Sequence, residues 1–391
     1  CLVWTYLLLV MVSTGETKMK LSVFHVAAML LSISIGTTVF AEPAISLNSD
    51  RELFIDDYLI DTMDNVSLTL AQPIQRNTVL TFDAPWEGRY CGYITVFQDG
   101  DIYRMYYRGL PEAKRDGSNS EVTCYAESKD GIVFEKPDLH LFEVNGDSKN
   151  NVVLADHAPY SHNFAPFPNV RPGAPDNEKY LAIAGTKKTG LSIFASEDGL
   201  RWRMLHEGVI TDGAFDSQNV AFWSSKEKCY VCYYRTWSGG GYDGYRWVSR
   251  SVSDDLKTWS AGEVMTAGGA PPEHIYVNQT VSYFRAPHIY IALAARFMPG
   301  RQVVTSEQAE SLGVEAGYFK DCSDNVLMTS RGGNDYDRRF MEGFVRPGIG
   351  LENWTSRTNY PAQGIVATGE KEVSFYIQQN HGQPTGHLDR Y

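Results

Sequence analysis

The stretch LSIFASEDGLRW, residues 191–202, joins an alternating, mostly apolar run to a Ser/Asp/Gly turn that is followed by a tryptophan. Carboxylates beside an aromatic ring suit sugar chemistry, but the same residue types also suit a tight turn between strands. Two similar stretches, SKDGIVF at 128–134 and SDDLKTW at 253–259, favour the turn. Ser and Asp side chains accept hydrogen bonds from nearby backbone N–H groups, and glycine tolerates a positive φ. We therefore predict that these acids hold a turn and that the aromatic residue packs back over it.

The three turns each end a unit of three alternating stretches, and this unit occurs five times along the chain. The units begin near residues 92, 162, 218, 278 and 363. A single antiparallel unit of this kind cannot bury both faces, whereas radial stacking of such units gives a β-propeller. No segment with helical periodicity follows Ala41. The sequence predicts an all-β fold, a five-bladed β-propeller formed by residues 42–391.

The fourth strand of each blade is less evident in the sequence. Candidate fourth strands are 134–144, 202–210 and 259–267, while the fifth unit stops at its third strand. A ring of blades must nevertheless close. The stretch LFIDDYLI at 53–60 could close it, the last blade could be truncated at the C-terminus, or both could hold.

The N-terminal region has the pattern of a targeting segment. Lys18 and Lys20 precede an apolar run that ends in small residues before Glu42-Pro43. This pattern predicts a secretory signal peptide cleaved after Ala41, with residues 1–41 outside the fold. We expect a secreted or periplasmic protein without a membrane anchor after cleavage.

Composition excludes several classes of partner and cofactor. The net charge is −12 with acids and bases interspersed, so no basic stripe indicates a nucleic-acid partner. Cys229 and Cys232 form a CxxC, but they lie in a predicted strand, where residues three apart point to opposite faces. No P-loop, Rossmann glycine pattern or HExxH is present, so neither a cofactor nor a metal site is predicted. The sequence leaves the oligomeric state open.

Polar residues begin the inner strand of every predicted blade, where a propeller binds ligands. They could instead satisfy backbone groups at the strand ends. Their expected convergence on one axis favours a site for a polyhydroxylated ligand, in which amides and arginines form hydrogen bonds with the hydroxyl groups. The predicted ligand-binding residues are Glu87, His162, Asn163, Asn219, His274, Arg285, Asp337 and Arg339.

Several of these stretches resemble a known group of proteins. They include DAPWEGRY at 83–90, SHNFAPF at 161–167, FDSQNVAFW at 215–223 and FMEGFVRPG at 340–348. Over about residues 50–391 the chain resembles secreted bacterial proteins related to the five-bladed propeller glycoside hydrolases, which include invertases, levansucrases and arabinanases. The turns resemble the Asp-box turns of sialidases.

The resemblance implies an acid-driven mechanism with a nucleophile or base, a general acid and often a supporting acid. The candidate acids here are Asp216, Glu342 and Glu273. His274 could donate the proton if a carboxylate is missing, since the pKa of a histidine lies near neutrality. We therefore expect a glycosidase that acts on a poly- or oligosaccharide.

Two alternatives remain at this point. The invertase motifs W-x-N-D-P-N-G and R-D-P are missing, which is compatible with a non-catalytic carbohydrate-binding propeller. A lyase or sialidase is the other alternative, and a sialidase would need three arginines around one carboxylate. Arg285, Arg339 and Arg346 are the candidates for such a triad.

Overall fold

A computed structural model describes residues 45–47, 49–111 and 117–391. Its paired strands run antiparallel to one another. The chain divides into residues 1–46 and residues 47–391, and every strand of the described residues lies in the second unit. The predicted signal peptide and its cleavage after Ala41 lie outside the described residues. No helix in the described ranges is long and apolar enough to cross a membrane.

Blades I to III are regular four-stranded sheets in which each strand pairs with the next along the chain. The short strand β1, Thr78–Thr81, precedes them. Blade I contains β2 Gly92–Asp99, β3 Ile102–Gly109, β4 Val122–Ser128 and β5 Val152–Leu154. Blade II contains β6 Ala165–Pro168, β7 Tyr180–Thr186, β8 Gly190–Ser196 and β9 Arg203–Ile210. Blade III contains β10 Val220–Ser224, β11 Cys229–Trp237, β12 Arg246–Ser253 and β13 Glu263–Val264.

Blade IV has an interrupted inner strand. Strands β14, His274–Val277, and β15, Thr280–Tyr283, both pair with the same edge of β16, Ala286–Met298. Strand β17, Cys322–Ser330, pairs with the other edge of β16. Residues 335–345 lie along β17 through two isolated bridges and take the outer position of the blade.

Blade V joins the two ends of the strand sequence. Strand β18, Tyr360–Pro361, pairs with β21, Tyr376–Gln379, which pairs with β22, His387–Arg390. The fourth strand is β1, which pairs with β22. The hairpin of β19, Val366–Gly369, and β20, Glu372–Ser374, completes the strands.

The ring therefore closes through residues 78–81, and the prediction that 53–60 closes it is wrong. The 53–60 segment is held on blade IV, because Arg331 pairs with Asp56 and with Glu52 just ahead of the segment. Leu53 and Ile55 pack there beside Tyr283 and Ile289. These contacts attach the segment to a blade that already has its strands.

Two other sequence predictions about local structure need correction. The fourth strand of blade I is β5 rather than 134–144, while β9 and β13 fall within the predicted ranges. One short α-helix, α1, runs from Ser306 to Ser311. A capping box between Thr305 and Gln308 holds it, and six residues are too few to show helical periodicity. Short 3-10 helices occur at Tyr160–His162, Asp176–Glu178 and Leu351–Asn353.

Apolar side chains of neighbouring blades pack face to face at each of the five blade interfaces. The predicted all-β five-bladed propeller is thereby confirmed. Cys229 and Cys232 belong to different interfaces, as expected of strand residues three apart. Each interface has a shared apolar cluster, with members from the two blades such as Tyr106 and Trp202, Ile183 and Tyr234, Val231 and Ala294, Leu293 and Ile377, and Met105 and Leu388.

A chain of buried side chains crosses the central channel. Gln279 Nε2 donates to Gln218 Oε1 at 2.6 Å, and Gln218 Nε2 donates to Thr95 Oγ1 at 2.9 Å. Thr95 Oγ1 in turn donates to Gln363 Oε1 at 3.3 Å. These residues come from blades I, III, IV and V, so the network lies between the two mouths of the channel.

Candidate functional site

The two mouths of the channel differ in chemistry. The mouth where the inner strands end has a cavity of about 550 Å³ lined by Phe97, Phe222, Trp223, Phe284 and other uncharged residues. None of its described lining residues is ionisable. The opposite mouth, where the inner strands begin, is called the start mouth here. It contains Tyr93, Asp216, Tyr276 and Tyr360 and is the candidate site.

Tyr93 spans the start mouth from blade I to blade III. Its hydroxyl donates to the backbone carbonyl of Asp216 at 3.3 Å, and its ring meets His162 edge-on at 5.4 Å between centroids. Tyr93 has φ 53°, a left-handed conformation that is costly for a bulky residue. The ladder of β2 is irregular between Gly92 and Thr95, which turns this side chain into the mouth.

Asp216 lies just ahead of β10, with its side chain 30% exposed. Its Oδ1 is 3.2 Å from Nη1 of Arg235, whose side chain is almost fully buried. The other terminal nitrogen of Arg235 donates to the carbonyl of Tyr276 on blade IV. A buried guanidinium therefore holds the carboxylate in place while one side of the carboxylate stays open to solvent.

Glu121 and His162 form a second group of ionisable side chains. Glu121 Oε1 is 2.8 Å from His162 Nδ1, and its Oε2 accepts from the backbone N–H of Gly117. A carboxylate can only accept, so this contact requires a hydrogen on Nδ1, although Arg108 Nη1, which can only donate, also lies 3.2 Å from the same nitrogen. Arg108 lies 3.8 Å from Glu121 Oε1 and stacks on the Tyr93 ring.

His162 and Asp216 line one cleft of about 540 Å³. Its other walls come from the ends of β7 and β8 and from the loops around them, and include Pro159, Lys188 and Tyr242. The structure thus brings two of the sequence-predicted residues together. Sequence reasoning missed Glu121, because it directly precedes β4 and was counted as part of an alternating strand.

His274 and Glu273 also lie at this end of blade IV, each with protein partners. His274 Nδ1 accepts from the backbone N–H of Arg246. Burial, then the positive charges of Arg246 and Arg235, lower the pKa of His274. His274 is therefore neutral near pH 7 and poorly suited to donate a proton. Glu273 forms ion pairs with Arg296 and Arg338.

Three predicted ligand-binding residues have structural contacts inside the fold. Asn163 donates to three backbone carbonyls and accepts from the N–H of Gly185. Asn219 bonds to the backbone in the same manner and accepts from the N–H of Arg235. Glu87 is fully buried and binds Lys136 and Tyr107. The two asparagines therefore fit the alternative interpretation, in which polar residues form hydrogen bonds with backbone groups at the strand ends.

The remaining predicted residues lie away from the cleft. Glu342 is exposed in the 335–345 segment at the outer position of blade IV, so the structure does not bring it to Asp216. Asp337 in the same segment pairs with Arg339, which also pairs with Asp57. Arg285 lies in the turn between β15 and β16, at the opposite mouth, so the predicted arginine triad is not formed.

Another set of arginines surrounds the Tyr276 ring. The guanidinium carbons of Arg235, Arg246 and Arg357 lie 4.5, 5.6 and 5.7 Å from its centroid. Sequence reasoning missed Arg246 and Arg357, which lie at the start of β12 and just before β18 rather than on inner-strand starts. Among the described residues, no group of three or more His, Cys, Asp and Glu side chains is placed to hold a metal ion.

No protein family matches the sequence, and no curated protein is similar to it. Solved structures share its fold. One described as "Glycoside hydrolase" superimposes with a TM-score of 0.52 at 12% identity, covering 82% of this chain and 91% of that chain. Another, a complex of BT0996 with RGII, gives 0.51 at 13% identity, covering 81% and 92%. The predicted resemblance to propeller glycoside hydrolases is confirmed for the fold.

Proposed function

We propose that this protein is a secreted glycoside hydrolase that cleaves a poly- or oligosaccharide at the start mouth. The observation that carries the proposal is that the partly exposed carboxylate of Asp216 and His162, which pairs with the Glu121 carboxylate, line the same cleft. The fold shared with a glycoside hydrolase supports it. Tyr242 in the wall of the cleft is exposed, and its aromatic ring suits the apolar face of a sugar ring.

The two groups divide the reaction between them. Asp216 accepts a proton from water, whose oxygen attacks the anomeric carbon as the glycosidic C–O bond breaks. His162, in its protonated form, donates a proton to the departing oxygen from Nε2, which is buried beside the cleft and must become accessible when the sugar binds. Glu121 is a positioning residue, because its carboxylate fixes the hydrogen of His162 at Nδ1 and orients the ring.

One observation favours a non-catalytic carbohydrate-binding propeller as the second candidate. The predicted second acid, Glu342, lies at the outer position of blade IV instead of at the cleft. A glycosidase usually places two carboxyl groups about 5–10 Å apart across the bond it cleaves. A binding protein needs no such pair.

The test is turnover of a panel of plant, algal and microbial glycans by the purified protein and by single variants. We expect Asp216→Asn and His162→Gln each to lower kcat by about 100- to 10,000-fold, the usual contribution of a positioned acid or base. Glu197→Gln, which removes an exposed carboxylate from a turn of blade II, is the matched control and should leave kcat unchanged.

The outcomes separate the candidates. Full activity in both cleft variants would exclude this site, and loss of activity in Glu342→Gln alone would restore the acid predicted from sequence. Glycan binding by calorimetry without release of any product would establish the binding propeller instead.

A further inference from the structure

The start mouth contains more positive than negative charge, although the chain as a whole carries a net charge of −12. Four arginines lie around its tyrosine rings, namely Arg108, Arg235, Arg246 and Arg357. Two of them have carboxylate partners, because Arg108 pairs with Glu121 and Arg235 with Asp216. The other two require a separate explanation.

Arg246 has no carboxylate partner among the residues that the structure describes. Its guanidinium carbon lies 4.7 Å from the Trp237 ring centroid and 4.8 Å from that of Phe297. Within the described ranges its side chain makes no ion pair and no hydrogen bond, and its buried Nε has no acceptor. Burying a charge without a hydrogen-bonding partner costs free energy, and the aromatic faces offset only part of it.

Arg357 is held in a similar way on the other side of Tyr276. Its guanidinium carbon lies 5.2 Å from the Tyr318 ring centroid, and its Nη1 donates to the Tyr318 hydroxyl at 3.3 Å. It forms no ion pair with any described residue. Both arginines thus present terminal N–H groups beside one aromatic ring, and no carboxylate of the described residues forms an ion pair with either.

Titratable neighbours are consistent with a positive potential here. Burial, then Arg357 and Arg108, lower the pKa of His381 to about 3. Burial and then Arg235 also lower the pKa of Arg246 itself. In a chain with an excess of acids, like-charged groups concentrated at one mouth indicate that an anion completes the site.

We propose that the start mouth recognises a sugar bearing an anionic group, a hexuronate carboxylate or a sulfate ester, that pairs with Arg246 and Arg357. This inference rests on the proposed function, since it takes the start mouth as the place where sugar binds. A guanidinium matches the planar geometry of a carboxylate and the oxygens of a sulfate through paired N–H donors. The neutral hydroxyls of the sugar remain for the tyrosines and Asp216.

The test measures binding rather than turnover. The full chain is titrated with a trigalacturonate, with the same trisaccharide reduced at its carboxyl groups, and with a sulfated galactan trisaccharide. Calorimetry and tryptophan fluorescence, to which Trp237 beside Arg246 contributes, report binding at low and high salt. We expect at least one anionic ligand to bind about tenfold or more tightly than the neutral one, with an advantage that shrinks in high salt.

Four variants locate the effect. Arg246→Gln and Arg357→Gln should each weaken anionic binding by about tenfold or more. Arg201→Gln removes the same charge from an exposed turn of blade II and should change nothing. Arg246→Lys keeps a positive charge and should retain part of the affinity, while thermal unfolding confirms that each variant is folded.

Each outcome decides the inference. Equal affinity for the charged and reduced trisaccharides, no binding of either anionic ligand, or an equal loss in Arg201→Gln would overturn it. Tighter binding of the trigalacturonate would identify a carboxylate as the anionic group, and tighter binding of the sulfated galactan would identify a sulfate ester. Asp216-dependent hydrolysis of neutral glycans without charge preference would leave the proposed function standing and remove this inference, whereas anionic binding without hydrolysis would do the reverse.

Discussion

At the residue scale, the turn acids that resemble catalytic groups are structural. In the turn after β8, Asp198 Oδ1 accepts from the N–H groups of Leu200 and Arg201, and Ser196 Oγ accepts from Gly199. The turns after β4 and β12 repeat these bonds. Trp202 packs against Tyr106 of blade I, so the turn also joins neighbouring blades. The prediction that turn acids hold the turn is confirmed for Asp130, Asp198 and Asp255.

The turn after β12 gives a prediction about pH. Backbone N–H groups of Thr258 and Lys257 lower the pKa of Asp255 to about 2. Because the folded-state pKa lies below the usual value near 3.9, the ionised form stabilises the fold above about pH 4, and this contribution is lost as pH falls towards 2. Urea unfolding should therefore show Asp255→Asn less stable than wild type at pH 6, with the difference shrinking by pH 2.5.

The control for this prediction is the neighbouring acid Asp254, which is exposed and makes no side-chain hydrogen bond within the described residues. Asp254→Asn should follow wild type at both pH values. A difference for Asp255→Asn that stays constant from pH 6 to 2.5 would contradict the role of the ionised carboxylate.

At the element scale, ring closure depends on the pairing of β1 with β22. Val79 and Leu80 of β1 are buried in the interface of blades V and I, beside Leu388 and Tyr376. Strand β1 supplies the fourth strand of blade V, so the edge of β22 is paired instead of exposed. Sequence reasoning considered only 53–60 for closure, and the pairing of 78–81 with β22 became evident only from the structure.

Truncation of one buried side chain in β1 tests this closure. Leu80→Ala should lower the free energy of unfolding by about 2–4 kcal/mol, since it leaves a cavity between blades V and I. Phe54→Ala, in the segment first expected to close the ring, should change it by less than about 0.5 kcal/mol because Phe54 is 67% exposed. Chemical denaturation of both variants measures the difference, and equal losses would argue against closure by β1.

At the scale of the whole molecule, the glutamines that cross the channel connect blades far apart in sequence. Gln218 is fully buried, and its amide both donates to Thr95 and accepts from Gln279. These bonds lie between the two mouths, so we expect a ligand at the start mouth to contact only residues of that mouth. Three of the polar residues at inner-strand starts, Gln218, Gln279 and Gln363, belong to this network and serve the ring rather than the ligand.

Removal of one glutamine tests the structural part of this network. Gln218→Ala should cost about 1–3 kcal/mol of unfolding free energy, because it leaves buried partners without hydrogen bonds. The exposed Gln72→Ala is the matched control and should be neutral. Thermal and urea unfolding measure both, and an unchanged stability of Gln218→Ala would show that water replaces the lost bonds.

The sequence by itself determined the blade count, the positions of most strands and the structural role of the Ser/Asp turns. These features depend on local patterns, namely alternation with period two and side chains that bond to backbone groups two or three residues away. The same reasoning placed Asp216 and His162 at inner-strand starts, and the structure brings them to one cleft.

Only the tertiary structure decided which strand closes the ring, which polar residues face the cleft and which serve the backbone. It separated His162 from its neighbour Asn163, brought Glu121 to His162, and placed Arg246 and Arg357 beside Tyr276. Residues adjacent in sequence point to different surroundings, while the partners that give them a function come from other blades. Those contacts arise from the radial packing of the blades, and no local period in the sequence records them.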